Sequence, residues 1–91
     1  MVILVKYGTD HAVESRKIAW AKESDTIVLL QDGVFWAKDD RIKEAEAKKI
    51  KVFAIKDEYL SRGCLEKDAK VPLISYDKFI EILEKDTKTV G

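Results

Sequence analysis

Three short runs of apolar, largely β-branched residues, Val2 to Tyr7, Thr26 to Gln31 and Ile50 to Ile55, alternate with stretches of helical periodicity, and this alternation restricts the fold more than any other feature. Runs that are apolar at nearly every position suit strands covered on both faces, because a strand with one wet face would alternate apolar and polar residues. Val71 to Ser75 is a weaker fourth run, and Pro72, which has no N–H for a ladder, places it at a sheet edge or a strand start. Helical stretches fall near Ala12 to Lys22, Val34 to Lys49, Asp57 to Arg62 and Tyr76 to Lys85. Strand then helix, repeated, predicts an α/β fold of three layers, α/β/α, with a mostly parallel sheet of four to five strands. No linker-like or low-complexity segment interrupts the 91 residues, so one domain is expected over residues 1–91.

Charge and cysteine usage narrow the function classes. Lysine plus arginine and aspartate plus glutamate stand at 17 each, so there is no net field to gather a phosphate backbone or an anionic membrane, and neither is expected as a direct ligand. Cys64 is the only cysteine and His11 the only histidine, which excludes an internal disulfide and leaves no zinc-ligand set. No metal or cofactor is expected. The N-terminal MVILVKY is apolar over too few residues for a signal sequence or a membrane span, so a cytoplasmic protein is expected. Asparagine is absent and glutamine occurs once beside abundant lysine and glutamate, the bias of hyperthermophile proteins.

In parallel sheets, ligands and partners collect at the carboxyl ends of the strands. Those ends read Gly8-Thr9-Asp10-His11, Gln31-Asp32-Gly33, Lys56-Asp57-Glu58 and Ser75-Tyr76-Asp77, each with an aspartate. Aspartates there cap the following helices or form an acidic cation site, and the missing glycine-rich phosphate cradle argues against the second. In IVLLQDGVFWA, Asp32 is expected to cap the helix and Gly33 to let the chain turn. Phe35 should then enter the core. At 100° per residue Trp36 diverges from the face of Val34, Phe35, Ile42 and Ala45, so it is expected on the outside, as a subunit anchor or plain surface.

The other helices raise their own expectations. Tyr76, Phe79, Ile80 and Leu83 form a stripe suited to packing on the sheet. In the first helix the stripe Ala12, Val13, Ala19 and Trp20 has Arg16 at its centre. Either the arginine stem covers apolar surface, or this face is an interface or pocket in which Arg16 holds a carboxylate, a phosphate or a sulfur anion. His11 opens the same helix without a Ser or Cys partner in sequence, which suits a surface or capping role better than a catalytic base.

The run LLQDGVFWA, then KVFAIKDEYLSRG, then VPLISYDKFIEIL resembles the DsrH family of sulfur-relay proteins, also called TusB-like. The matching motifs are Gln31-Asp32-Gly33, Asp57 with Leu60-Ser61-Arg62-Gly63, and Ser75-Tyr76-Asp77-Lys78-Phe79, in an order and spacing that span nearly the whole chain. The resemblance implies a DsrE/DsrF/DsrH-type fold. It also implies association with DsrE/TusD-like and DsrF/TusC-like subunits, self-association being the other possibility. Such assemblies pass sulfur as a cysteine persulfide toward 2-thiolation of the tRNA wobble uridine, or serve sulfur oxidation. DsrH-like members with a sulfur cysteine carry it in the first helix, near where this chain has Arg16. This chain lacks it, so the resemblance implies an accessory, non-catalytic subunit. Cys64, beside Arg62 and Lys67, is then either an incidental loop thiol or a relocated persulfide carrier. The remaining readings are a stand-alone sulfurtransferase using Cys64 and a self-associating domain that binds a small anion at Arg16 and His11.

Overall fold

The computed structural model describes residues 1–86 and 88–91. Five strands, β1 (Val2–Val5), β2 (Thr26–Leu29), β3 (Lys51–Ile55), β4 (Leu73–Ile74) and β5 (Thr89–Val90), form one sheet in the order β4-β3-β2-β1-β5. Every pairing is parallel, with Val2 opposite Thr26, Thr26 opposite Lys51, Ala54 opposite Leu73 and Val2 opposite Thr89. β4, which begins just after Pro72, forms one edge.

Among the described residues four α-helices connect the strands: α1 (Ala12–Trp20), α2 (Ile42–Ala47), α3 (Lys56–Ser61) and α4 (Tyr76–Lys85). From β1 to β4 the chain steps along the sheet in one direction. It then returns from the β4 edge to the β5 edge through α4. The return places α4 on the opposite face, because alternate strand residues point to opposite sides. Ile3, Val5, Ile27, Leu29, Val52 and Ala54 build the larger core with Ile18 of α1, Ile42 and Ala45 of α2 and Tyr59 of α3. Val2, Val28 and Ile55 meet Phe79, Ile82 and Leu83 of α4 in a smaller one. One helix cannot cover a whole sheet face, and no residue of α4 is fully buried. The stripe expected to pack on the sheet does so only through Phe79 and Leu83, since Tyr76 and Ile80 are exposed.

The stretch expected as one helix over Val34 to Lys49 is divided. Gln31–Lys38 is a 3-10 helix, and α2 begins only at Ile42. A 3-10 helix has three residues per turn, so positions three apart are superposed. Gly33 lies over Trp36 and Val34 over Ala37, and all four are buried, while Phe35 turns half out beneath the Lys38 ammonium, 5.6 Å from its ring centre. The expectation that Trp36 faces outward is therefore wrong: the side chain is 1% exposed. Phe35 packs against the core only in part.

In the first helix the stripe centred on Arg16 is not the buried face. The buried residues of α1 are Glu14 and Ile18, whereas Ala12, Val13, Arg16, Ala19 and Trp20 all face solvent. The apolar stripe of the sequence is an outer surface.

Candidate functional site at the strand ends

The carboxyl ends of β1, β2 and β3 lie side by side, and the backbone there is held by side chains from four elements. Glu14, 1% exposed, projects from α1 beneath the end of β1. Its Oε2 accepts from the amides of Lys6 at 2.6 Å and Tyr7 at 3.1 Å, and its Oε1 lies 2.7 Å from the Lys17 ammonium. These contacts replace ladder bonds and end the strand at Val5. Burial alone would raise the Glu14 pKa, but Lys17 and the Tyr7 and Lys6 amides together hold it below the ordinary glutamate value.

The following loop is fixed from its other side. The Trp36 indole N–H donates to the Tyr7 carbonyl at 3.1 Å. The Arg41 guanidinium stacks 4.5 Å above the Trp36 ring, donates to the Thr9 carbonyl at 2.9 Å and grips Asp39 through two bonds of 3.0 Å. That grip holds the Asp39 pKa below the usual carboxylate range, the Arg41 hydrogen bonds being its largest cause. Tyr7 is left exposed, stacked on His11 with ring centres 4.6 Å apart and an interplanar angle of 19°.

The end of β2 is a tight exit. Gln31 adopts φ 52°, a left-handed conformation uncommon outside glycine, and the Glu58 carboxylate accepts a hydrogen bond from its amide. Gly33 is required for space: a Cβ there would lie 1.8 Å from the Val5 carbonyl oxygen. Asp32 does not cap the helix as expected. It lies on the surface, its Oδ1 accepting from Arg62 Nε at 2.9 Å. Glu58 also accepts from the Tyr76 hydroxyl at 2.7 Å, and this bond raises the Tyr76 pKa. The rim thus runs from Tyr7 and His11 past Asp32 and Arg62 to Glu58 and Tyr76, with a shallow depression lined by Gly8, Thr9, Asp10, Asp32 and Phe35.

The residues expected to form a site are only partly brought together. Trp36 and His11 meet through Tyr7, and Asp32 lies at the next strand end. Arg16 is exposed on α1, whereas His11 is half-buried at its N-cap with its ring stacked on Tyr7. His11 occupies the N-cap position of α1 without making a side-chain cap. The strand-end aspartates make no side-chain caps, although Asp32, Asp57 and Asp77 lie in the first turns of their helices, where the helix dipole favours a carboxylate. Neither α1, α2, α3 nor the 3-10 helix has a side-chain cap, and α4 is capped by Ser75, whose Oγ accepts from the Lys78 amide at 3.1 Å. Among the described residues no group of His, Cys, Asp and Glu could hold a metal ion. Cys64 is not in an accessible loop position: it is 3% exposed and packed in the larger core. Sequence reasoning missed Glu14, Arg41 and Glu58. For Glu14 the signal was available, a carboxylate alone between Val13 and Ile18 on a short helix.

Residues 11–89 match the family described as DsrH like protein. The chain belongs to the DsrH-like family. The solution NMR structure of protein Tm0979 from Thermotoga maritima is 52% identical, superposes with a TM-score of 0.77 and covers 100% of both chains. A second, high-resolution NMR structure of the same Thermotoga maritima protein, described as a proposed sulfur transferase, is 53% identical with a TM-score of 0.73, covering 98% of this chain and 97% of that one. No curated protein matches this chain. The expected three-layer α/β fold is thus the observed one, and family and neighbour together support a role in sulfur relay. No helix among the described residues is long and apolar enough to cross a membrane.

Proposed function

We propose that this protein is an accessory subunit of a cytoplasmic sulfur-relay assembly, serving 2-thiolation of the tRNA wobble uridine, and that it does not itself carry the sulfur. The observation behind this reading is the burial of its only thiol. A persulfide relay needs a thiolate whose Sγ can attack the sulfane sulfur of a donor, forming a new S–S bond as the donor thiolate leaves. Cys64 is 3% exposed among core side chains, where no donor sulfur can approach. The first helix, where the family resemblance puts a sulfur cysteine, offers Arg16 instead. The strand-end rim has no thiol, but it presents exposed Tyr7 and Tyr76 and the Asp32–Arg62 pair on a braced backbone, a surface suited to docking a partner that brings the reactive cysteine.

The two other readings have less support. A stand-alone sulfurtransferase needs Cys64 at the surface, and an anion site built from Arg16 and His11 needs them to converge.

Co-expression with DsrE-like and DsrF-like subunits tests the proposal. The expected result is a complex in which the Cys64→Ser and Cys64→Ala variants support sulfur transfer at the wild-type rate. Transfer abolished by both variants, with the complex and its melting temperature preserved, would make this chain a carrier.

A further inference from the structure

The sheet face that α1 covers stays open at its β5 side. Ile3 of β1 and Val90 of β5 are partners in register, and Ile3 shares a core with Ile18 of α1, so both side chains point to the α1 face. Trp20 ends α1 beside them and is 75% exposed. With Met1 these residues line an apolar groove of about 270 Å³, close to the lower limit of about 300 Å³ for small-molecule pockets. Buried Ile3 is its floor, and exposed Trp20, Met1 and Val90 are its walls. An apolar body lying there releases water from the indole and from three other apolar side chains.

The charges around the groove are satisfied, with one exception. The Lys17 ammonium lies 2.7 Å from Glu14 Oε1 and donates to the Leu4 carbonyl at 3.1 Å. Asp25 lies 3.5 Å from the Met1 ammonium, which Asp86 also holds at 3.0 Å. Asp25 Oδ2 accepts from the Lys22 amide at 2.9 Å, and this turn carries Lys22 round to the groove beside Trp20. The Lys22 ammonium itself has no ion-pair or hydrogen-bond partner among the described residues. Glu23, the nearest acid in sequence, does not line the groove. An exposed indole and one unpaired cation thus share a single apolar recess.

We propose that this recess binds a free aromatic monocarboxylate, its ring lying against the Trp20 indole and its carboxylate beside the Lys22 ammonium. One unpaired cation complements one negative charge, and the volume admits a body of one or two rings. A protein segment would bring backbone polar groups into an apolar recess whose other polar groups are already engaged. The groove lies at the amino ends of β1 and β2, so an occupant leaves the strand-end rim free. The site is therefore separate from the surface proposed for a sulfur-relay partner.

Amide and indole NMR shifts of the full chain, followed as 2-naphthoate is added to about 10 mM, test this. Expected is saturable movement of the Trp20 indole signal and of the Lys22 and Val90 amides, with a dissociation constant of about 1 mM or lower and a stationary Trp36 indole. Trp20→Ala should raise the constant about tenfold. Lys22→Gln should raise it about threefold, the range of an exposed charge pair, and that difference should fade with salt. The neutral amide, 2-naphthamide, should bind the wild type and Lys22→Gln alike. Dispersed amide spectra confirm that both variants are folded. No saturation by about 10 mM, movement centred on another surface, or an amide that binds the wild type as tightly as the carboxylate does would each overturn the proposal. So would a Trp20 indole signal that moves with protein concentration alone, which would give the groove to a second copy. Tighter binding of an acetylated Phe-Glu amide would give it to a protein segment and overturn the proposal too.

Discussion

Replacing Glu14 with glutamine removes one charge and leaves almost every atom in place. In the wild type the carboxylate accepts two backbone amides, Lys6 at 2.6 Å and Tyr7 at 3.1 Å, and lies 2.7 Å from the Lys17 ammonium. Hydrogen bonds to a charged group contribute about 1.5 to 3 kcal/mol each, and removing one member of a buried ion pair costs about 3 to 5 kcal/mol. Glutamine keeps an acceptor for the amides but turns an NH2 group or a neutral oxygen toward Lys17, so the expected loss is about 3 kcal/mol, the low end of that range. For a domain of this size that is a fall in melting temperature of about 15 °C, read by circular dichroism at neutral pH. The pH dependence gives an independent check. Because Glu14 has a lowered pKa in the folded state, its contribution is complete above the ordinary glutamate pKa and is lost as pH falls through the folded value. The gap between wild type and Glu14→Gln should therefore close in acid. A loss under about 0.5 kcal/mol at neutral pH, the range of a plain surface change, or a gap constant down to acid pH would mean that the Glu14 charge does not hold the end of β1.

Gly33→Ala should cost about 3 kcal/mol or more in urea unfolding, since its Cβ would meet the Val5 carbonyl at 1.8 Å and both strand ends would have to part. A near-neutral result would mean that the two strand ends are not packed together. The tryptophans should separate in acrylamide quenching of single-tryptophan variants: Trp20, 75% exposed, quenched readily and emitting to the red, and Trp36, 1% exposed, protected. Trp36→Phe should lower stability by about 2 kcal/mol, because it leaves the Tyr7 carbonyl without its 3.1 Å donor, whereas Trp20→Ala should change it by less than about 0.5 kcal/mol.

Where local chemistry and tertiary packing agree, the sequence could be read directly. The last helix was expected over Tyr76 to Lys85 and occupies those residues, because Ser75 supplies a real cap and the apolar spacing is regular. The three apolar runs are strands, each shorter than its run. Lys6 and Tyr7 give their amides to Glu14, Gln31 turns left-handed, and Lys49 at φ 63° closes α2 before Ile50 can join β3. The Trp36 error arises from one assumption. The α-helical wheel put Trp36 outside, but the segment winds at three residues per turn, which brings Trp36 in with Gly33. The stripe of Ala12, Val13, Ala19 and Trp20 faces solvent, because the space under α1 is taken by a carboxylate holding the strand end. The strand-end location of the rim was legible from topology. Its bracing by Arg41 and Glu58 was not, because each reaches backbone far away in sequence, whereas Glu14 reaches amides only seven and eight residues away and was signalled by its apolar neighbours.

Mass spectrometry of the intact native protein after exposure to a persulfide donor tests the accessory reading most directly. The expected result is a chain of unchanged mass, with sulfur taken up only once denaturant has exposed Cys64. A stable added sulfur on Cys64 of the folded protein would contradict it.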